Sequence, residues 1–197
     1  MAKIELTNPL STKFDRALQL AHDLHRLQPR KRSDVPYIAH LLAVTAIVLE
    51  NGGDEDTAIA ALLHDAVEDQ GGQPTLDRIR REFGDKVARI VFECTDADGE
   101  PKPPWRFRKE QYLAALPHKS AEALLISFGD KIHNSRSIVR DLRRDGVSVW
   151  NRFEGRRDGT LWYYQELLEK FPREPYASLY EEFAASVRAL NEAAKAC

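Results

Sequence analysis

Cysteine is scarce in this sequence, and long uncharged apolar runs are lacking. The two cysteines, Cys94 and Cys197, are too few for a disulfide framework or a cysteine-based zinc site. Free thiols are typical of a reducing compartment. No apolar stretch approaches the roughly 20 residues that a membrane span needs, and residues 1–10 lack the pattern of a secretory signal. We therefore expect a cytoplasmic protein without a membrane-spanning segment.

An excess of charge of one sign is also lacking. The chain has 29 Lys and Arg residues against 31 Asp and Glu residues, which gives a formal net charge of −2. A protein built to coat nucleic acid would be strongly basic, so we expect no nucleic-acid partner. The length suits one domain, 1–197, with a core at about 12–171 and a C-terminal helix at 175–195. We expect a monomer or a small homo-oligomer.

The apolar residues recur at three- and four-residue steps almost throughout the chain, as in the run Phe14, Ala17, Ala21 and Leu24. This period is typical of helices, and no alternating strand pattern of useful length occurs. Helices are predicted over 58–69, 105–116 and 120–142, among others, and a loop over 96–104. The fold class is therefore predicted to be all-α, a single helical bundle.

An acidic group on the predicted helix 58–69 is the first chemical signal. His64 and Glu68 are four residues apart, as are Asp65 and Asp69, so one helix would carry all four on one side. Three carboxylates among apolar neighbours repel one another and lose hydration. This stretch has no neighbouring lysine or arginine to neutralise them. A divalent metal ion would compensate the charge directly.

Further ligands for such an ion must come from other parts of the chain. His40, on the preceding helix, and Asp130, on the long helix, are the candidates. Two histidines and two aspartates leave coordination positions open to water, which is the arrangement of a catalytic metal site. These donors suit Mn²⁺, Fe²⁺, Co²⁺ or Zn²⁺. We expect His22 and His25 on a solvated face, and His133 beside the site as a supporting residue.

Three stretches carry a resemblance to a known family. They are VPYIAH at 35–40, ALLHDAVED at 61–69 and GDKIHNSR at 129–136. Together they resemble the HD phosphohydrolase superfamily, and more specifically the hydrolase domain of RelA/SpoT-type proteins, which degrade the stringent-response alarmones. The resemblance runs from about residue 12 to about residue 171, as in the stand-alone small alarmone hydrolases.

The resemblance implies a role for each matching residue. Mn²⁺ would be held by His40, His64, Asp65 and Asp130, the catalytic acid pair would be Glu68 and Asp69, and Asn134 would contact the substrate. Three positions depart from the family pattern: Lys31 replaces an arginine, Leu41 a proline and Gly129 an alanine. Glycine in a helix costs about 1 kcal/mol relative to alanine, so we expect a close backbone approach at Gly129.

A cationic segment precedes and opens the predicted helix 105–116. Lys102, Arg106, Arg108 and Lys109 surround Trp105. Cations at a helix N-terminus are poorly placed unless an anion is bound, so this segment predicts phosphate binding, with Trp105 stacked on a base. The alternative is a solvated basic turn with Trp105 packed in the core.

Other substrate contacts are expected from Lys31 and Arg32, which would neutralise a diphosphate, and from Arg136. The aromatic run at 162–164 would either wall a nucleoside pocket or, as favoured here, pack in the core.

The sequence and its resemblance together predict a metal-dependent 3′-pyrophosphohydrolase. Its substrate would be the small-molecule nucleotide ppGpp or pppGpp, and its products diphosphate with GDP or GTP. Two alternatives stay open: the same chemistry on (p)ppApp or another nucleotide such as NADPH, and a non-catalytic alarmone sensor. Because every ligand position and both acids are present, an enzyme is favoured over a sensor.

Overall fold

Helices joined by short connections account for most of the structure. This computed structural model describes residues 9–31, 33–95 and 103–196, so the predicted site residues Arg32 and Lys102 lie outside the described residues. The α-helices are α1 (Thr12–His25), α2 (Ile38–Glu50), α3 (Glu55–Leu63), α4 (Ala66–Asp69), α5 (Gly72–Phe83), α6 (Asp85–Cys94), α7 (Trp105–Ala115), α8 (Ala121–Asp145), α9 (Arg156–Lys170) and α10 (Ala177–Ala196). Two 3-10 helices span Leu116–His118 and Gly146–Arg152.

The all-α prediction is confirmed. Within the described part of the chain, β pairing is limited to an isolated bridge between Pro29 and Pro36. None of the described helices combines the length and the apolar character needed to cross a bilayer.

The centre of the core is α3. Every residue from Thr57 to Leu63 is buried, which is typical of a helix packed on all sides. The helix contacts α1, α2, α6 and α8. Asp54 caps its start, because the Asp54 carboxylate accepts a hydrogen bond of 2.9 Å from the backbone N–H of Thr57. The buried end of α3 therefore delivers the next residue, His64, into the interior.

The helix predicted over 58–69 is divided at the His-Asp pair into α3 and α4, which corrects the single continuous helix expected from the sequence. Asp65 separates α3 from α4 with φ −97° and ψ −3°, a bridge-region conformation that recurs at functional sites. Asp65 still lies one helical turn before Asp69, as predicted, because the Asp69 N–H donates to the Asp65 carbonyl at 3.0 Å.

The packing of α8 against α2 is close at Gly129, as predicted. A Cβ atom at this position would lie 3.3 Å from Val44 Cγ1 and 3.4 Å from the Val44 carbonyl oxygen. This contact brings the middle of α8, and Asp130 with it, against the helix that carries His40.

The C-terminal helix packs along α8. Ser135 Oγ donates to Ser186 Oγ at 2.7 Å. The ring of Phe128 lies 4.0 Å from that of Phe171 and 6.1 Å from that of Phe183, between ring centroids. These contacts join α8 to the end of α9 and to α10.

His25 is buried, so its predicted place on a solvated face is wrong. The side chain is 1% exposed, and its ring stacks on Tyr37 with 5.0 Å between centroids. The last turn of α1 is covered by the residues that lead into α2, which the helical period of α1 alone does not indicate. His22, by contrast, is exposed as predicted.

Candidate metal centre and active-site cavity

Three of the four predicted metal ligands converge at the C-terminal end of α3. The Nε2 atoms of His40 and His64 lie 3.5 Å and 3.2 Å from Asp65 Oδ2. One ligand atom from each residue lies within 4.8 Å of the other two. Both histidines are buried, at 1% and 3% exposed. Atoms at this spacing can reach a common ion.

The fourth predicted ligand, Asp130 of α8, approaches the same point. Its Oδ1 atom lies 3.2 Å from His40 Nε2. Lys131 Nζ forms an ion pair with Oδ2 at 2.6 Å, and Asn134 Nδ2 donates to Oδ1. The structure thus brings the four predicted ligands together from α2, the α3–α4 junction and α8.

The ring nitrogens of both histidines are arranged to face a cation. His64 Nδ1 donates to the Ala61 carbonyl at 2.7 Å, so in the neutral ring, the form that binds a metal ion, the lone pair is on Nε2. That Nε2 is buried and has no hydrogen-bond partner among the described residues. His40 Nδ1 is hydrogen-bonded to His133 Nδ1 at 2.7 Å, which leaves His40 Nε2 for the aspartates. Two carboxylates and two imidazoles, one of which has the buried, unpartnered Nε2 of His64, fit a divalent metal ion.

The carboxylates of this cluster attract positive charge. Burial alone would lower the pKa of His64, but Asp65 and Asp130 outweigh burial and raise this pKa to about 9. Burial alone would raise the pKa of Asp130, but Lys131 and His40 hold it well below its usual value. The negative charge of the carboxylates can therefore be compensated by a proton on the cluster or by a bound metal ion.

Tyr37 is a site residue that the sequence analysis missed. Its hydroxyl donates to Asp65 Oδ2 at 2.6 Å. Burial raises the pKa of the Tyr37 hydroxyl, so the group keeps its proton and stays a donor. The only signal in the sequence is its place three residues before His40, one turn away at the start of α2.

A cavity of about 430 Å³ opens beside the ligands. The proposed acid pair, Glu68 and Asp69, lines it. Five of the predicted substrate-binding residues also line it: Lys31, Trp105, Arg108, Lys109 and Asn134. A cavity that carries both acids and several cations suits a phosphorylated ligand.

Arg30, rather than its neighbour Lys31, bonds to a side chain of the site. The Arg30 guanidinium donates to Asn134 Oδ1, whereas Lys31 is exposed. The Arg30 N–H donates to the Val35 carbonyl at 2.8 Å, which closes the loop that carries both cations. The family pattern points to position 31, and the sequence gives no indication that the loop instead turns Arg30 toward Asn134.

Two other predicted substrate-binding residues are engaged elsewhere. The Arg106 guanidinium lies 3.2 Å from the centroid of the Trp162 ring and pairs with Glu110. Arg136 pairs with Glu182 of α10 at 2.7 Å. Neither is among the described residues that line the cavity. On α8, Arg136 is two residues beyond Asn134 and so points away from the side that faces the site.

Trp105 combines the two alternatives considered for it. It lines the cavity, and it also packs on α9. A Cβ atom at Gly155 would lie 2.6 Å from Trp105 Cη2, and one at Gly159 would lie 3.2 Å away. These glycines let the indole lie directly on the α9 backbone, so Trp105 forms a packed wall. Tyr163 and Tyr164 are buried and also line the cavity.

The sequence matches the HD domain family over residues 17–161. The chain belongs to this family. It is 39% identical over 138 residues to the guanosine-3′,5′-bis(diphosphate) 3′-pyrophosphohydrolase MESH1 of Xenopus tropicalis, covering 68% of this chain and 72% of that protein. It is 41% identical over 136 residues to a GTP pyrophosphokinase of Streptomyces coelicolor, covering 67% of this chain and only 15% of that longer protein.

Two solved structures have a similar fold. One, described as a metazoan ortholog of SpoT that hydrolyses ppGpp, superposes with a TM-score of 0.76 at 31% identity, covering 93% of this chain and 97% of that one. Another, from Listeria monocytogenes EGD-e, has a TM-score of 0.67 at 28% identity and covers 80% of this chain. The predicted resemblance to alarmone hydrolases is thereby confirmed.

Proposed function

We propose that this chain is a metal-dependent 3′-pyrophosphohydrolase. With one water molecule it would convert ppGpp to GDP and diphosphate, or pppGpp to GTP and diphosphate. The observation that carries the proposal is the meeting of His40, His64, Asp65 and Asp130 at one point beside a cation-lined cavity. The relatives whose names specify ppGpp hydrolysis support the same reaction.

The proposed metal ion is Mn²⁺, held by these four residues. When bound, it would supply a Lewis acid toward phosphate oxygen. The surrounding side chains keep the ligands in place: Tyr37 donates to Asp65, while Lys131 and Asn134 bond to Asp130. Manganese is chosen by the family resemblance, since the donor set alone also suits other divalent ions.

Glu68 and Asp69 are the proposed acid–base pair. Water would attack the phosphorus atom bonded to the 3′ oxygen, and that oxygen would leave with the nucleoside. The acid pair would take the proton from the water and return one to the leaving 3′ oxygen. Both residues line the cavity that holds the ligands, as this transfer requires.

The phosphate charge would be neutralised by cations along the cavity. Arg30, Lys31 and Lys109 are the proposed phosphate contacts. Arg108 also lines the cavity, but it pairs with Glu154 at 3.1 Å, so its charge is already partly compensated. The contacts predicted for Arg32 and Lys102 stay predictions.

A substrate panel tests the proposal. Purified protein is incubated with ppGpp, pppGpp, ppApp or NADPH, with and without Mn²⁺, and products are separated by anion-exchange chromatography. We expect diphosphate and GDP from ppGpp only when Mn²⁺ is present. If ppApp is turned over faster than ppGpp, the preferred substrate of the same reaction is the adenosine analogue. A nucleotide that binds with Mn²⁺ and is never consumed would instead identify a sensor.

A further inference from the structure

Gln28 lies in the loop after α1 and contacts the proposed acid pair. Its Nε2 donates to Asp69 Oδ2 at 2.8 Å. The main chain of Gln28 is fixed on both sides: its N–H donates to the His25 carbonyl at 2.9 Å, and its carbonyl accepts from the Tyr37 N–H at 2.9 Å. The side chain therefore starts from a defined position.

The neighbours of the Gln28 amide determine which end of it faces Asp69. Gln70 Nε2 donates to Gln28 Oε1 at 2.5 Å, and His25 Nδ1, which can donate or accept according to its tautomer, lies 2.7 Å from the same oxygen. Turning the amide over would place its NH₂ group against the Gln70 NH₂ group and its oxygen against the Asp69 carboxylate. Both pairings are repulsive, so Gln28 can only donate to Asp69.

This network gives an otherwise exposed carboxylate a fixed orientation. Asp69 is the last residue of the four-residue helix α4 and is exposed. The bond from Gln28 holds Oδ2, and the same side chain lines the cavity. The other end of the network is His25, which is buried and stacked on Tyr37. Tyr37 in turn bonds to Asp65, so one loop holds both the metal-ligand candidate and the acid.

We propose that Gln28 is a positioning residue, which orients the Asp69 carboxylate for proton transfer. The inference rests on the proposed function, since it assigns Gln28 to the acid pair of that reaction. Misplacement of a reacting group by about 1 Å can cost on the order of 100-fold in rate. Because the contact is accessible to solvent, its loss should leave the fold intact.

Steady-state kinetics on ppGpp with Mn²⁺ tests the inference with Gln28→Ala and Gln28→Glu. The matched controls are Gln19→Ala and Gln19→Glu, because Gln19 of α1 makes the same kind of bond, to Asp23 Oδ1 at 3.0 Å, outside the cavity. We expect Gln28→Ala to lower kcat about tenfold and Gln28→Glu, which sets a second carboxylate against Asp69, about 100-fold. KM and the Mn²⁺ affinity, measured by electron paramagnetic resonance, should change less than about twofold.

A double-mutant cycle shows whether Gln28 acts through Asp69. On an Asp69→Asn background, Gln28→Ala should cause no further fall in kcat. The inference is overturned if kcat matches that of the Gln19 controls, if the two losses multiply, or if Gln28→Ala raises KM while kcat is kept. The last result would make Gln28 a direct substrate contact.

A measurement that needs no substrate separates this inference from the proposed function. The side-chain carboxyl ¹³C signal of Asp69 is assigned with Asp69→Asn, in protein loaded with diamagnetic Zn²⁺. Gln28→Ala should move this signal, and Gln19→Ala should leave it unchanged. An unmoved signal overturns the inference even if ppGpp is hydrolysed. If Gln28→Ala moves the Asp69 signal but the unmodified protein hydrolyses no nucleotide, the contact between Gln28 and Asp69 is supported and the proposed function is rejected.

Discussion

At the scale of single residues, the site converges on one oxygen atom. Asp65 Oδ2 accepts from the Tyr37 hydroxyl at 2.6 Å and lies within 3.5 Å of the Nε2 atoms of both His40 and His64. Because so many groups depend on one carboxylate, its charge should determine whether the site holds an ion.

Replacing Asp65 by asparagine keeps the side-chain shape and removes that charge. We expect Asp65→Asn to weaken Mn²⁺ binding by more than the roughly 10- to 100-fold that loss of a supporting partner costs, and to abolish turnover. Mn²⁺ titration followed by electron paramagnetic resonance measures the first effect. Asp23→Asn, on the surface of α1, is the control. Metal-dependent turnover by Asp65→Asn would contradict the proposed mechanism.

Glu68 should affect the reaction and not the ion. We expect Glu68→Gln to lower kcat about 100- to 10,000-fold, because general acid–base catalysis contributes that much, while Mn²⁺ affinity stays the same. Glu82→Gln, at an exposed ion pair with Arg78 on α5, is the matched control. A parallel loss of Mn²⁺ affinity would instead make Glu68 a ligand.

Some site residues could be predicted from the sequence and others could not. The candidate ligands were visible because uncompensated acids and histidines stand out in an apolar stretch. Tyr37, Gln28 and Arg30 gave no such signal, since their contacts depend on how the loop between α1 and α2 folds back on α4 and α8.

At the scale of elements, the central helix α3 depends on its N-terminal cap. Burial alone would raise the pKa of Asp54, but hydrogen bonds from Lys86 and Thr57 outweigh it and lower the pKa to about 2. In the unfolded chain an aspartate has a pKa of about 3.9. A folded-state pKa that is lowered adds stability above the unfolded value, and this contribution is lost as the pH falls toward about 2.

We therefore expect Asp54→Ala to lower the free energy of unfolding by about 1 kcal/mol at pH 6, with a smaller loss at pH 3. Urea unfolding at the two pH values measures the difference. Ser120→Ala is the control, because Ser120 caps α8 with a hydroxyl that does not ionise. Ser120→Ala should lower the free energy of unfolding equally at pH 6 and pH 3. If Asp54→Ala also lowers it equally at the two pH values, the contribution of the Asp54 charge is contradicted.

The contact of α7 with α9 depends on the glycines under Trp105. In Gly155→Ala the new methyl group would meet the indole at 2.6 Å, so the ring must move. We expect a destabilisation of about 1–3 kcal/mol, a shift in tryptophan fluorescence and a higher KM. Gly159→Ala, with a contact of 3.2 Å, should have a smaller effect. The reverse order would show that Trp105 is not held by Gly155.

The three- and four-residue spacing of apolar residues predicted most of these helices, because that spacing follows from burying one side of a helix. The interruption at Asp65 was not predicted, since residues 58–69 contain no glycine or proline and keep a helical apolar spacing. The contacts of the His-Asp pair with Tyr37 and His40 at this point are long-range, and a local pattern does not indicate them. The close approach at Gly129 was predicted, because glycine within a helix is costly unless a neighbour lies close to it.

At the scale of the whole molecule, an ion bound by the four candidate ligands would connect distant parts of the chain. Binding to the folded state alone stabilises a protein by about 2.7 kcal/mol when the free ion is at 100 times its Kd. We expect EDTA to lower the melting temperature and Mn²⁺ to restore it, as measured by differential scanning calorimetry. Asp65→Asn should melt at the same temperature with or without Mn²⁺. If neither EDTA nor Mn²⁺ changes the melting temperature of the unmodified protein, the proposed metal site is contradicted.

The aromatic cluster on α8 has a consequence for the end of the chain. Phe128 packs on Phe171 and Phe183 and lies only two residues before Asp130. Residues of α10 line no described part of the cavity, yet they support the backbone that presents a candidate ligand. Removing α10 would uncover Phe128 and the apolar side of α8, so we expect truncation of the last helix to weaken ion binding together with the fold.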